Sequence, residues 1–183
     1  MRLVQDYGPS NRRGTMQSYA TNRIRSFSLI GHGGVGKTSI ADVLAAFTGA
    51  TASLGRVDDH SSVLDDTPEE HKKGGSLATS YLTIESDGYK FHVVDTPEDG
   101  NFLHESRTAL QAANGAVLVL SATAGVEVST EQMNGFAAAQ RIPRVLFINR
   151  MDKDSADHAI GDGRGRVRPG DAARAAAAPH RQR

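Results

Sequence analysis

Cysteine and tryptophan are both absent from this chain. Without cysteine there is no disulfide scaffold and no thiolate metal site, so a small fold held by bridges is excluded, and a reducing cytosol is a compatible setting. Aromatic residues make up only 5% of the sequence and apolar residues 38%, which permits a modest core if most of the chain contributes to it. No stretch approaches the ~20 apolar residues that span a bilayer. The N-terminal MRLVQDYGPSNRRGT is charged but lacks the apolar segment of a secretory signal. Neither sign of charge dominates: 21 basic residues face 21 acidic ones, for a net charge of +0, so a global attraction to nucleic acid is not indicated. These absences leave a soluble, cytoplasmic chain of 183 residues, enough for one domain and short for two.

Residues 1–23 are polar and aperiodic and read as a flexible N-terminal tail, with Met16 a candidate natural start. Order begins at Ile24. Ile24, Phe27, Leu29 and Ile30 form a short apolar run ending at a glycine, a strand signature. Ile40, Val43, Leu44 and Phe47 then recur at i, i+3, i+4 and i+7, which predicts one apolar helix face, with Gly49 as its C-terminal glycine. Residues 50–78 are polar and charged and read as a long loop, a feature that in compact domains tends to be functional or disordered. Thr79–Ser86 and Tyr89–Val94 flank Asp87-Gly88, the dipeptide of a tight hairpin.

Phe102–Ala113 reads as a helix. Ala116–Leu120 (AVLVL) and Val145–Ile148 (VLFI) read as strands buried on both faces. Between them, Ser129 with Gln132 three residues on predicts a capping box opening a helix to about Arg141, which Pro143 stops. Strands alternating with helices, plus one hairpin, predict an α/β fold with a doubly wound, mostly parallel sheet and an antiparallel edge. From Gly161 onward the chain is rich in Arg, Ala, Gly and Pro and holds a single large aliphatic residue, Val167. Such a segment buries too little apolar area to offset its ordering entropy, so 161–183 is expected to be disordered. An out-of-frame reading of a GC-rich gene and a basic tail for RNA are the alternatives.

Three segments carry chemistry. Gly31-His32-Gly33-Gly34-Val35-Gly36-Lys37-Thr38 matches G-x-x-x-x-G-K-[ST], a match expected by chance in on the order of 1% of chains this long. It also follows a predicted strand and opens a predicted helix, the context that the motif requires. Its glycines let backbone N–H groups close around phosphate oxygens, and the helix N-terminus adds the positive end of its dipole. Lys37 would reach the β- and γ-phosphates, and the Thr38 hydroxyl would hold Mg²⁺. A glycine-rich turn without a ligand is the plain alternative.

Asp95-Thr96-Pro97 ends a predicted strand, where a carboxylate beside the phosphate loop suits a Mg²⁺ partner. Alone it would be an ordinary turn. Asn149-Arg150-Met151-Asp152 ends another strand, where Asp152 could accept from the two N–H donors that guanine has and adenine lacks. By itself that pattern is weak, because loops are rich in Asn and Asp. The seven histidines show no metal-ligand spacing.

GHGGVGKT, DTP and NRMD in this order, together with the stretches FSLIGHGGVGKTSIADVLAAFTG, TPEEHKKGGSLATS and GAVLVLSATAGVEVSTEQ, resemble the GTPase domain of elongation factor G. The resemblance runs from about Ile24 to Ala159. It implies a P-loop GTPase domain over 24–160, GTP or GDP with Mg²⁺ as ligands, and the ribosome as partner of the full-length relative. It also implies that the long loop is a nucleotide-sensing switch in which Ser76 meets Mg²⁺ and the γ-phosphate, and that Lys37 and residue 99 serve hydrolysis.

The sequence departs from that family where the motif Asp-Thr-Pro-Gly-His becomes Asp95-Thr96-Pro97-Glu98-Asp99. Asp99 stands where the histidine orients the attacking water, and it adds negative charge near the triphosphate. Two like charges ~4 Å apart cost roughly 4 kcal/mol at an effective dielectric of 20. Arg150 replaces the usual lysine, which is not a neutral exchange. After Ala159 nothing resembles the family's Ser-Ala loop, its next strand and helix, or its further domains. The sequence therefore reads as a truncated domain of marginal stability. Three readings stay open: a GTPase, a guanine-nucleotide-binding module with negligible hydrolysis, and a fragment without function.

Overall fold

The computed structural model describes residues 18–55, 61–64, 76, 78–97, 103–154 and 156. A single 3₁₀ turn, Thr21–Arg23, leads into β1 (Ile24–Ile30). There follow α1 (Lys37–Phe47), β2 (Ser80–Ser86), β3 (Tyr89–Asp95), α2 (Leu103–Gln111), β4 (Gly115–Ser121), α3 (Val128–Ala139) and β5 (Arg144–Asn149). The sheet order is β2-β3-β1-β4-β5. β1 runs parallel to β3 and β4, β4 runs parallel to β5, and β2 is antiparallel to β3. This is the expected mostly parallel, doubly wound sheet with one antiparallel edge hairpin. The hairpin turns through Asp87 (φ 51) and Gly88 (φ 74), so both central residues adopt the left-handed backbone of a type I′ turn.

Two apolar layers flank the sheet. On one face, Ala41 and Ala45 of α1 pack with Leu29, Val93, Leu82 and Ile84. On the other, Leu110 of α2 and Met133 and Ala137 of α3 pack with Ile30, Ala116 and Leu118. The adjacent residues Leu29 and Ile30 thus serve opposite layers, as strand alternation requires. α1 ends as its glycine predicts: Gly49 N–H donates to Ala46 and Ala50 N–H to Ala45, the paired bonds of a Schellman cap.

Three sequence readings are corrected. The buried stripe of α1 is Lys37, Thr38, Ala41, Asp42 and Ala45, whereas Val43 is 51% and Phe47 85% exposed. The helix starts directly after the glycine-rich loop with Lys37 and Thr38 turned inward, and that rotation leaves the larger side chains at the flank and outside. The capping box at Ser129 does not form, because α3 begins two residues earlier, with Glu127 at the N-cap position and no side-chain cap bond. β5 is not covered on both faces. Val145, Leu146 and Phe147 are exposed, since among the described residues β5 pairs only with β4 and forms the sheet edge.

The long loop expected between α1 and β2 contains no helix or strand among its described residues. Of the tail expected over residues 1–23, residues 1–17 lie outside the described residues and Thr21–Arg23 form the 3₁₀ turn before β1. The tail expected at 161–183 also lies outside the described residues.

Candidate functional site

The site forms where three parallel strands end on the same side of the sheet. Register pairs Leu29 of β1 with Asp95 at the end of β3, and Ser121 of β4 with Asn149 at the end of β5. Between β1 and β4 lies the point where the chain changes direction across the sheet, the place where open α/β sheets bind ligands. The glycine-rich loop from Gly31 to Gly36 occupies it.

The loop's glycines answer to close packing. A Cβ on Gly31 would lie 2.4 Å from the Val119 carbonyl oxygen. At Gly36 the backbone has φ 91, and a Cβ would meet Asn149 Nδ2 at 2.7 Å. That amide donates to the Val35 carbonyl at 2.7 Å. Asn149 therefore braces the loop from a position 114 residues along the chain, and its side-chain oxygen accepts the Arg150 N–H at 2.9 Å.

Lys37 is fully buried. Its Nζ donates to the Gly31 carbonyl at 3.2 Å and the His32 carbonyl at 3.0 Å. The ammonium is thus curled over the loop's concave side, held by carbonyls that a phosphate oxygen would outcompete as a charged acceptor. Thr38, one residue on, donates its hydroxyl to Asp95 Oδ2 at 2.6 Å and lies 3.2 Å from Ser76 Oγ. All three side chains are buried. Thr96 fixes the end of β3 by donating its hydroxyl to the Leu29 carbonyl at 2.8 Å, and Pro97 accepts from Ser106 of α2 at 3.3 Å.

The donor set fits Mg²⁺. Two hydroxyl oxygens and one carboxylate lie together, hard oxygen donors of the kind that ion takes alongside water and phosphate. Among the described residues there is no group of three or more His, Cys, Asp or Glu that could hold a metal ion.

The structure brings together Gly31, His32, Gly33, Gly34, Val35, Gly36, Lys37, Thr38, Ser76, Asp95, Thr96 and Asn149 at this end of the sheet. Arg150 (φ 61), Met151 and Asp152 form the exposed turn that follows β5. Glu98 and Asp99 lie outside the described residues. Sequence reasoning missed Thr130 and Glu127, on and just before α3, which reach His32 of the loop. Thr130 Oγ1 accepts the His32 N–H at 3.2 Å, and Glu127 Oε1 lies 3.4 Å from the His32 ring. It also missed Asp42, whose Oδ1 accepts the Val63 N–H at 3.1 Å and so ties the long loop to α1.

Residues 22–162 match the family described as the elongation factor Tu GTP binding domain. The chain belongs to this family. Among its relatives are the mitochondrial ribosome-releasing factor 2 of Candida albicans, 32% identical over 142 residues, and elongation factor G 2 of Syntrophus aciditrophicus, 33% identical over 137 residues. These alignments cover 78% and 75% of this chain. The chain spans only 18% and 20% of those two proteins' lengths. A crystal structure of a Thermus thermophilus protein superposes with a TM-score of 0.74 at 34% identity, over 79% of this chain and 22% of that one. Membership of a GTP-binding family accounts for the order of the three motifs and for the strand ends they occupy. Among the described residues no helix is long and apolar enough to cross a membrane.

Proposed function

We propose that this chain binds GTP and GDP with Mg²⁺ at the strand ends described above. Within a longer translation factor of the elongation factor G kind, it hydrolyses GTP to drive that factor's action on the ribosome. The reading is carried by one observation: Lys37 and Thr38 at the start of α1, Asp95 at the end of β3 and Asn149 at the end of β5 come together beside a single glycine loop.

In this reading the backbone N–H groups of Gly31–Thr38 and the start of α1 cradle the phosphates. Lys37 exchanges its carbonyl partners for β- and γ-phosphate oxygens. Thr38, Ser76 and Asp95 hold Mg²⁺, which neutralises charge on the phosphates. Asp152 accepts the two guanine N–H donors, with Arg150 and Met151 beside the base. Thr96, Pro97 and Glu98 face the γ-phosphate, and Asp99 orients the attacking water. The domain extends over 24–160, flanked by the two tails. A cytoplasmic location belongs to the same reading, although several relatives carry "mitochondrial" in their names.

A second reading, nucleotide binding without appreciable hydrolysis, is favoured by the two carboxylates Glu98 and Asp99. Calorimetric titration of the full chain with GDP and ADP tests the shared part. Wild type should prefer GDP, and Asp152→Asn should weaken GDP by about 10- to 100-fold, the worth of a charge-assisted hydrogen bond. Equal affinity for GDP and ADP would contradict both readings. Phosphate release from GTP with ribosomes present separates them: turnover supports hydrolysis, and its absence supports the binding module.

A further inference from the structure

His32 belongs to the phosphate loop, yet its side chain is buried and points away from the loop's concave side toward the start of α3. Three contacts tie it there. Its backbone N–H donates to Thr130 Oγ1 at 3.2 Å, its ring Nδ1 lies 3.2 Å from that same oxygen, and its ring Nε2 lies 3.4 Å from Glu127 Oε1. One hydroxyl carries one hydrogen. Having accepted the backbone N–H, Thr130 has that hydrogen to donate to Nδ1. The ring hydrogen then sits on Nε2, where the Glu127 carboxylate accepts it. For a neutral ring this is the arrangement in which the directions of all three bonds agree.

The consequence falls on one peptide plane. The His32 N–H belongs to the peptide linking Gly31 to His32, and the carbonyl of that same peptide accepts from Lys37 Nζ at 3.2 Å. Thr130 and Lys37 therefore grip the plane from opposite sides. Thr130 is itself buried, so its hydroxyl is fixed by packing. A loop that binds phosphate through oriented backbone N–H groups depends on such planes not rotating.

We propose that Thr130, with Glu127 behind it, is a positioning pair for the nucleotide site: through His32 they fix the Gly31–His32 peptide and thereby set phosphate affinity. The proposal rests on the nucleotide-binding reading above. It adds that α3, which carries none of the three motifs, is coupled to the phosphate loop.

The test uses the full chain with Mg²⁺ and three variants: Thr130→Val, which keeps the shape and removes the hydroxyl, Thr130→Ser, which restores it, and Glu127→Ala. GDP and ADP affinities are measured by titration calorimetry, and the His32 tautomer by ¹⁵N chemical shifts. Wild type should show the Nε2–H tautomer. Thr130→Val should weaken GDP about 5- to 30-fold, the range for losing one buried hydrogen bond, with the GDP-to-ADP ratio unchanged, because the base is read elsewhere. Thr130→Ser should return to within about 2-fold of wild type.

The Glu127 side chain is half exposed and makes no cap bond, so Glu127→Ala remains folded even if Thr130→Val does not. It should lose the single-tautomer signature and weaken GDP by a few-fold. If wild type binds GDP but Thr130→Val and Glu127→Ala match it in affinity and tautomer, the positioning role is overturned and the nucleotide reading stands. If wild type binds no guanine nucleotide, both fall.

Discussion

Asp42 is buried on α1, accepts the Val63 N–H through Oδ1, and among the described residues has no hydrogen-bond partner at Oδ2. Burial pushes its carboxyl pKa up, while hydrogen bonds from Ser62 and the Val63 backbone offset part of that rise. A carboxyl raised on folding stabilises the fold fully below its unfolded pKa, and this contribution disappears as pH climbs through the folded value. At neutral pH the charged form is therefore a net cost. Asp42→Asn keeps an acceptor for Val63 and removes the charge. The variant should melt higher than wild type at pH 7, and the gap should narrow as pH falls toward ~4, the usual aspartate value. A gap independent of pH would show that desolvation of Asp42 is not the cause. Gly36→Ala is a second case at this scale. Its backbone φ of 91 and the contact with Asn149 Nδ2 mean that a methyl strains the loop and displaces the amide that braces Val35. GDP affinity should drop at least about tenfold, roughly the 1.4 kcal/mol worth of a displaced hydrogen bond with backbone strain, as titration will measure.

At the level of elements, α1 shows how a functional end can override an apolar pattern. Ile40, Val43, Leu44 and Phe47 are spaced as a core face, yet Phe47 is 85% exposed, because Lys37 and Thr38 have to face the site. Phe47→Ser should therefore change stability by less than about 0.5 kcal/mol, as at an exposed position. A buried phenylalanine would lose several kcal/mol. Denaturant unfolding distinguishes the two. The same logic explains which elements were legible in the sequence. The hairpin was readable because Asp87-Gly88 specifies its own turn, and α1's end because Gly49 specifies its own cap. The α3 start was not, because its N-cap position is held by Glu127 without a side-chain bond. At the candidate site, local motif points to Gly31 to Thr38, Asp95 and Asn149, which lie together at one end of the sheet. Thr130 was not legible, since its bond to the loop spans 98 residues and no periodicity encodes a contact of that kind.

Over the whole molecule, among the described residues the β5 edge of the sheet is left partly uncovered on both faces. Register places Val145 beside Val117 and Phe147 beside Val119, on the face that α1 covers further along the sheet. There Val145 is 66% and Phe147 44% exposed. Apolar side chains on an edge strand are a surface for self-association, and a net charge of +0 offers little repulsion against it. Phe147→Lys should lower concentration-dependent light scattering while moving the melting midpoint little. Unchanged scattering would place the sticky surface elsewhere.

If this chain binds a guanine nucleotide as proposed, that ligand must stabilise its fold. Thermal unfolding of the full chain with Mg²⁺, alone and with GDP, a GTP analogue or ATP, tests it most directly. Ligand at a hundred times its dissociation constant adds about 2.7 kcal/mol to the folded state, a rise of about 5 to 10 °C for a chain of this size. That rise is expected with GDP and the GTP analogue and none with ATP. An equal rise with ATP, or a cooperative transition that no nucleotide moves, would contradict it.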